Sequence, residues 1–565
     1  MKLLFISLGC DKNRVDSEQM LALLTVSGIE LTDEEDEADI IVINTCCFIG
    51  DAKEESINTI LEMAEYRTHG SCRALIVTGC LAQRYQDEIH QEISEVDAIL
   101  GTNSIDSICE AIEYVLKAQA EASIQVCGMR HNPKDIPLAG TASVPGADMQ
   151  EAGDCLLDAN MQEVENSLQN EEAQEVGISL PDVDIQAVGD DRSVYYKKIA
   201  PLMGLPRASK QLLTTPGHYA YLKIAEGCDK NCTYCVIPSV RGHYRSVPME
   251  ELLDRAKRLV DGGVKELVLV AQETTLYGVD LYGEKSLYRL LDALNQIPGL
   301  LWIRILYCYP EEVDEKLLDA MIRNEKVCHY LDIPIQHCND TLLRRMGRRT
   351  NKQELTERIA LIRDKIPDIA LRTTLICGFP GETEAMHQEL MQFVNDMEFD
   401  RLGAFAYSCE EGTPAASFPD QVPEEQKAAW VDEVMELQEE VSRDCNSEQV
   451  GRVLTVLIEG RVTDDTIYEE DSCRSVEADE DEQYEAGVSK DGGTADMSEM
   501  REDVVGDSDT NGAAYVGRSY RDAPDVDGYV FVSSDVELMT GDVCRVCVKS
   551  SSDYDLIGDM SEEPD

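Results

Sequence analysis

Three short apolar runs near the start of the chain each end on a cysteine. "KLLFISLGC" ends at Cys10, "DIIVINTC" at Cys46 and "RALIVTGC" at Cys80. Helix-like stretches separate them, and strands alternating with helices predict a parallel sheet covered by helices on its faces. In such a sheet, ligands bind just beyond the carboxyl ends of the strands. Three cysteines far apart in sequence are therefore expected to converge at one edge. The plain alternative is three buried structural thiols, since free cysteine is often buried. Cys47 adjoins Cys46 and is expected to point elsewhere.

The same alternation returns later. Between residues 218 and 445, "YAYLKIAEG", "ELVLVAQE", "LWIRILYC", "YLDIPIQ", "IALRTTLICG" and "RLGAFAYS" are candidate strands with helical runs between them. Six such strands predict a barrel or partial (β/α) barrel. "EEQKAAWVDEVMELQEEVSRD" reads as a long helix leading out of it. Beyond it, "GRVLTVLIEGRV" and "GDVCRVCVKSSSDYDLIGDM" alternate like strands of a small antiparallel β-domain. The expected fold is α/β: an N-terminal flavodoxin-like parallel sheet, a central partial barrel and a small C-terminal β-barrel. The expected division is 1–127, a linker at 128–193, 194–445 and 446–565.

Two segments break this pattern. Residues 141–191 carry thirteen acidic and no basic residues, and residues 471–510 carry fourteen acidic against three basic. Both read as disordered insertions, the second inside a loop of the β-domain. The chain has 50 basic and 110 acidic residues, a net charge of −60. The insertions supply −13 and −11, so −36 remains on the folded parts. Nucleic-acid binding draws on Lys and Arg, so this balance argues against a nucleic-acid substrate and for a basic protein partner. No run approaches 18 apolar residues, so no membrane span is expected. No secretory leader is apparent, and the 20 cysteines read as reduced thiols in a cytoplasmic protein, some of them holding metal.

The densest cysteine group is "EGCDKNCTYCVIPSVRG", with Cys228, Cys232 and Cys235 in a CxxxCxxC spacing. A [4Fe–4S] cluster usually takes four thiolates. Three leave one iron open to a substrate or cofactor, as catalytic zinc keeps one position free. The stretch follows a candidate strand, which puts the loop at the rim where barrel active sites form. A zinc site completed by His243 and a chance group of free thiols are the competing readings.

CxxxCxxC with aromatic Tyr234 before the last cysteine resembles the signature of radical S-adenosylmethionine (SAM) enzymes. That resemblance implies that SAM binds the open iron and, after one-electron cleavage, yields a 5′-deoxyadenosyl radical. It also implies that "CGFPGET", with Gly378, Pro380, Gly381 and Glu382, and "VAQETT", with Gln272, line the SAM pocket. Together with the N-terminal cysteines, the chain resembles the methylthiotransferase family. Members carry two [4Fe–4S] clusters, each on three cysteines, and a C-terminal barrel called TRAM. The resemblance implies metal ligands Cys10, Cys46 and Cys80 for one cluster, and Cys228, Cys232 and Cys235 for the other.

Two branches of that family compete. One modifies tRNA adenosine; the other adds a methylthio group to the β-carbon of an aspartate on protein twelve of the small ribosomal subunit. "ISLGCDKNRVDSE", "YLDIPIQHCNDTLLRRMGRR", "FDRLGAFAYSCEEGTPAA" and "RDAPDVDGYVFV" resemble the second branch, and the acidic C-terminal stretches agree with it. A non-catalytic iron–sulfur carrier or redox sensor is the rival from another class. Electron donor and sulfur donor are left open. Cys155 and Cys473 are expected not to be ligands. Cys544 and Cys547 form a CxxC in a strand pattern, which sends them to opposite faces and argues against a metal site.

Overall fold

The structure is a computed structural model that describes residues 1–129, 195–202, 211–462 and 513–561. Both acidic insertions, with Cys155 and Cys473, lie outside the described residues.

The first sheet has six parallel strands: β1 (Lys2–Ser7), β2 (Glu30–Leu31), β3 (Ile40–Thr45), β4 (Ala74–Gly79), β5 (Ala98–Leu100) and β6 (Tyr196–Lys198), in the order β2-β1-β3-β4-β5-β6. Strands β3 and β4 are buried at every position, which is why they read as unbroken apolar runs rather than alternating ones. Residues 196–198 were expected in the central unit. They instead pair with β5, Ala98 against Tyr196 and Leu100 against Lys198. Three residues are too few to show a period, so only the pairing reveals the strand.

The central part holds β7 (Tyr219–Lys223), a two-stranded ribbon of β8 (Ala225–Glu226) and β9 (Arg245–Ser246), then β10 (Glu266–Val270), β11 (Trp302–Ile305), β12 (Tyr330–Asp332), β13 (Ala370–Cys377) and β14 (Arg401–Ala406). All six expected strands are present. They form two parallel three-stranded sheets, β7-β10-β11 and β12-β13-β14. Main-chain bonds stitch the two together: Ile303 N–H to Lys326 O at 2.7 Å, Cys328 N–H to Ile303 O at 2.9 Å and Cys308 N–H to Asp332 O at 2.8 Å. The result is an open six-stranded (β/α) barrel. Its outward side chains, such as Leu267, Leu269, Ile303, Leu371 and Leu375, pack under the surrounding helices. Its inward ones include Tyr219, Tyr221, Val268, Trp302 and Tyr330.

The long helix Glu424–Ser447 leads to β15 (Val453–Arg461), β16 (Ala513–Arg518), β17 (Val530–Ser534), β18 (Val543–Ser551) and β19 (Leu556–Met560). These close into a barrel in the order β15-β16-β17-β19-β18. Four seams are antiparallel, and β17 with β19 is parallel. Cys544 lies in this barrel's core, whereas Cys547 is half-buried on the other face of β18. The second acidic insertion falls between the paired strands β15 and β16.

The stretch "RDAPDVDG" is more than a turn. Asp522 pairs with Arg401 at 2.7 Å, and Asp527 accepts from Tyr330 OH at 2.7 Å and lies 3.3 Å from Arg372. Asp525 pairs with Arg14 of the helix Asp11–Val26 at 3.0 Å. Tyr330 and Arg401 open their strands, so this loop seals the end of the open barrel opposite the cysteine loop. One acidic loop thereby ties all three parts together. No helix among the described residues is long and apolar enough to cross a membrane.

Candidate functional site

Because β1, β3 and β4 are neighbours in the first sheet, their carboxyl ends lie side by side. Cys10 caps the helix Asp11–Val26, Cys46 follows β3 directly, and Cys80 begins the helix Cys80–Arg84. Asn13 binds the three ends into one unit. Its amide donates to Leu8 O and to Thr45 O, both at 3.0 Å, its main-chain oxygen accepts from Asn44 Nδ2 at 2.9 Å, and its Oδ1 accepts from Cys80 Sγ at 3.8 Å. Two glycines permit the close approach. Gly9 has φ +88°, and a Cβ there would stand 2.7 Å from Cys46 Cβ. Gly79 has φ +94°, and a Cβ would stand 2.4 Å from Thr45 O. Only glycine combines that conformation with that space.

The Cys46 thiol is pushed up to about 12, first by burial and then by the neighbouring Cys80 and Cys10. Cys80 is also raised by burial, opposed by the Arg241 guanidinium. Cys47 is fully buried in the apolar cluster of this sheet, which also takes in Cys80.

The second triad sits in a loop held at its neck by the β8–β9 ribbon. Gly227, at φ +82°, enters the loop where a Cβ would meet His243 O at 2.2 Å. Cys228 N–H donates to Gly242 O at 3.1 Å, Cys235 N–H to Cys232 O at 3.1 Å, and Ile237 N–H to Cys235 Sγ at 3.5 Å. The Tyr309 hydroxyl lies 3.3 Å from Cys232 Sγ, and Arg348 covers the Tyr309 ring at 4.1 Å. Burial pushes the Cys228 thiol up to about 11 and the Cys235 thiol up to about 12. Tyr234 meets Phe379 of "CGFPGET" edge-to-face at 6.5 Å. That contact explains the aromatic before the last cysteine: it seats the cysteine loop on the end of β13.

All six cysteines are free thiols. The His243 side chain is 89% exposed and pairs with Asp229 at 2.7 Å, which takes it away from the cysteines. No group of three or more His, Cys, Asp and Glu among the described residues is arranged for one metal ion. Three thiols are the donor set that a four-iron cluster with one iron left open would take.

The expected pocket residues have particular tasks in the structure. Gln272 accepts from Gly227 N–H at 2.8 Å and donates to Glu226 at 3.2 Å, fixing the start of the cysteine loop. Glu382 is buried and accepts from Gly378 N–H at 2.6 Å, Phe379 N–H at 3.1 Å and His337 Nε2 at 3.2 Å, so its carboxylate is spent on shaping its own turn. Gly378 and Gly381 have φ +77° and +86°, and Cβ atoms there would strike Lys427 at 2.2 Å and Arg345 at 2.1 Å. Pro380 is buried in the same turn. Sequence reasoning passed over Glu273, next to Gln272. It is fully buried, one carboxylate oxygen accepts from Thr275 N–H at 2.9 Å, and the other has no partner. Burial pushes its pKa up to about 7. Its place in "VAQETT" was the available signal.

A parallel open barrel with CxxxCxxC at its carboxyl rim, placed between a cysteine-edged sheet and a small β-barrel, defines a radical SAM enzyme that uses an iron–sulfur cluster and SAM. Family models agree along the chain: the uncharacterized protein family UPF0004 over residues 2–101, the Radical SAM superfamily over 222–394 and the TRAM domain over 500–560. The chain is 46% identical to the ribosomal protein uS12 methylthiotransferase RimO of Lachnoclostridium phytofermentans, over 99% of each chain. It is 39% identical to that of Pelotomaculum thermopropionicum over 99% of each, and 36% identical to that of Clostridium botulinum strain Loch Maree over 100% of this chain and 99% of the relative. Among solved structures, the radical SAM methyltransferase TsrM from Kitasatospora setae matches 82% of this chain and 81% of its own, at 14% identity and a TM-score of 0.44. The chain belongs to the RimO family of radical SAM methylthiotransferases.

Proposed function

We propose that this protein adds a methylthio group to the β-carbon of an aspartate on ribosomal protein uS12, using two [4Fe–4S] clusters. Cys228, Cys232 and Cys235 hold one; Cys10, Cys46 and Cys80 hold the other. The observation that carries this reading is the N-terminal triad: three thiols from three adjacent strand ends, tied by Asn13, in a chain alike over its whole length to uS12 methylthiotransferases. A carrier would need one such site and no radical SAM loop. When bound, SAM and the cluster held by Cys228, Cys232 and Cys235 would supply the radical chemistry that removes hydrogen from the target carbon. The chain's own part is to bind and orient. The partnerless buried oxygen of Glu273 would be free to accept a charge-assisted bond from the SAM ammonium. Gln272 and Gly227 hold the cysteine loop in register, and Gly378, Pro380, Gly381 and Glu382 form the turn against which Tyr234 rests.

The charge supports a protein substrate. Asp535 and Glu537 are exposed on the C-terminal barrel, and the folded parts are acidic throughout, which draws in a basic ribosomal protein and repels RNA. A ribosomal-protein substrate supports a cytoplasmic location. In domain terms the reading is 1–127 with β6 added, the insertion at 128–193, the barrel to residue 445, and a C-terminal barrel interrupted at 471–510. The test uses anaerobically reconstituted protein, reduced and supplied with SAM, sulfide, uS12 and unmodified tRNA. Mass spectrometry should find the methylthio group on the uS12 aspartate alone. Modification of tRNA alone would overturn the reading.

A further inference from the structure

Arg241 connects the two triads. It ends the short helix Ile237–Arg241 that leaves the CxxxCxxC loop, only six residues beyond Cys235. Its side chain then crosses to the N-terminal sheet. One guanidinium nitrogen lies 3.4 Å from Cys80 Sγ and also reaches Asn13 Oδ1, the residue that binds the strand ends together. The other donates to Asp16 at 2.7 Å and lies 3.3 Å from Glu226. Lys223 completes the group, touching Asp16 and lying 2.7 Å from Glu226. Two acids and two bases are thus enclosed with side chains no more than 5% exposed.

We propose that Arg241, supplied by the radical SAM loop, is a positioning residue for the N-terminal cluster: it fixes the Cys80 thiolate and makes that cluster easier to reduce. The proposal rests on the two-cluster reading. A cluster held by three thiolates becomes more negative by one charge on reduction. A buried cation on one of its sulfurs stabilises that added charge more strongly than water would, and hydrogen bonds to sulfur are among the factors that set cluster potentials. Arg241 alone of the four charged residues touches a cluster cysteine. The geometry also gives the arrangement a direction. The donor to Cys80 comes from the helix that leaves the CxxxCxxC loop, so docking of the sheet against that helix completes the surroundings of this sulfur. Arginine suits the place because its planar fork serves Asn13, Cys80, Asp16 and Glu226 at once, which an ammonium cannot.

The experiment removes the radical SAM cluster by replacing Cys228, Cys232 and Cys235 with Ala in the full chain, leaving the N-terminal triad as the iron site. The parent and its variants are reconstituted, their iron is counted, and the one-electron midpoint potential is read by EPR during titration with dithionite. Removing Arg241 alone would leave two buried carboxylates to share the Lys223 ammonium, an excess buried charge that can unfold a protein. The variant is therefore Asp16→Asn with Arg241→Gln, which deletes one charge of each sign and keeps the Lys223–Glu226 pair. A second variant, Lys223→Met with Glu226→Gln, deletes the pair that does not touch Cys80. The proposal expects full iron in both, a shift of at least tenfold in the reduction equilibrium toward the oxidised form in the first (about 59 mV for one electron), and a much smaller shift in the second. Arg241→Lys, which keeps the charge but loses the fork, should shift the same way by less. Full iron with an unchanged potential in the Asp16→Asn, Arg241→Gln variant overturns the role of Arg241 and leaves the two clusters standing. No iron in the parent overturns the two-cluster reading and this inference with it.

Discussion

The two cysteine triads reach the same number of thiols by opposite routes. Cys228, Cys232 and Cys235 come from one loop whose neck is tied by a two-stranded ribbon, so local sequence nearly suffices to build the site. Cys10, Cys46 and Cys80 come from three strand ends and exist as a group only because β1, β3 and β4 are neighbours in a parallel sheet. The first site needs a positive-φ glycine at its entrance; the second needs one before two of its three cysteines, Gly9 and Gly79. The partners differ too. Cys232 meets the neutral hydroxyl of Tyr309, whereas Cys80 meets the charged Arg241. A site made within one loop can form early and alone. A site made from a sheet edge is completed by its docking partner, and that partner brings a charge.

The largest effect should come from separating the two chemically. Cys232→Ala should abolish reductive cleavage of SAM to 5′-deoxyadenosine, and with it the product. Cys46→Ala should keep that cleavage while the methylthio product disappears. Chromatography of the nucleoside together with mass spectrometry of uS12 reads both at once; equal loss of cleavage in the two variants would break the division of labour.

Glycine replacements come next. Gly79→Ala forces a Cβ to within 2.4 Å of Thr45 O, and Gly227→Ala to within 2.2 Å of His243 O, each at positive φ. Each should cost roughly 1–3 kcal/mol in denaturant unfolding, with iron lost selectively from the triad the glycine serves. Loss from both sites equally would mean that the triads do not form independently.

Glu273→Gln should weaken SAM binding by about 1.5–3 kcal/mol, the worth of a hydrogen bond to a charged group, which is more than tenfold in the KM for SAM. The sharpening result is a KM effect with iron content unchanged. Tyr309→Phe should be the smallest. It removes one neutral hydroxyl from Cys232 Sγ, worth about 0.5–1.5 kcal/mol, and should leave iron loading intact while slowing SAM cleavage modestly. If Tyr309→Phe matched the Arg241 variants in its effect on cluster potential, the contrast between a neutral and a charged partner would fail.

Both triads were legible in the sequence, each through a different signal. Spacing showed the loop triad, and the repetition of strand then cysteine showed the sheet triad. The opposite faces of Cys544 and Cys547 followed from the two-residue period of a strand. What the sequence withheld depends on contacts between distant segments. β6 is three residues long and declares itself only by pairing with β5. The parallel seam between β17 and β19 is a matter of barrel closure. "RDAPDVDG" resembled a family marker, but its acidic residues prove to be partners of Arg14, Arg372 and Arg401, which lie between 121 and 511 positions away. Arg241 looked like the tail of the cysteine motif and serves the other motif instead. Glu273 stood in a stretch already singled out, and only its burial and free oxygen set it apart from Gln272.

The most direct test counts iron and acid-labile sulfide in three reconstituted chains: the parent, the variant with Cys10, Cys46 and Cys80 replaced by Ala, and the variant with Cys228, Cys232 and Cys235 replaced by Ala. Two [4Fe–4S] clusters on separate triads predict about eight, about four and about four iron atoms per chain, each with Mössbauer parameters of a [4Fe–4S] cluster. About four iron atoms in the parent, all of them lost with one triad and none with the other, would contradict the account at its centre.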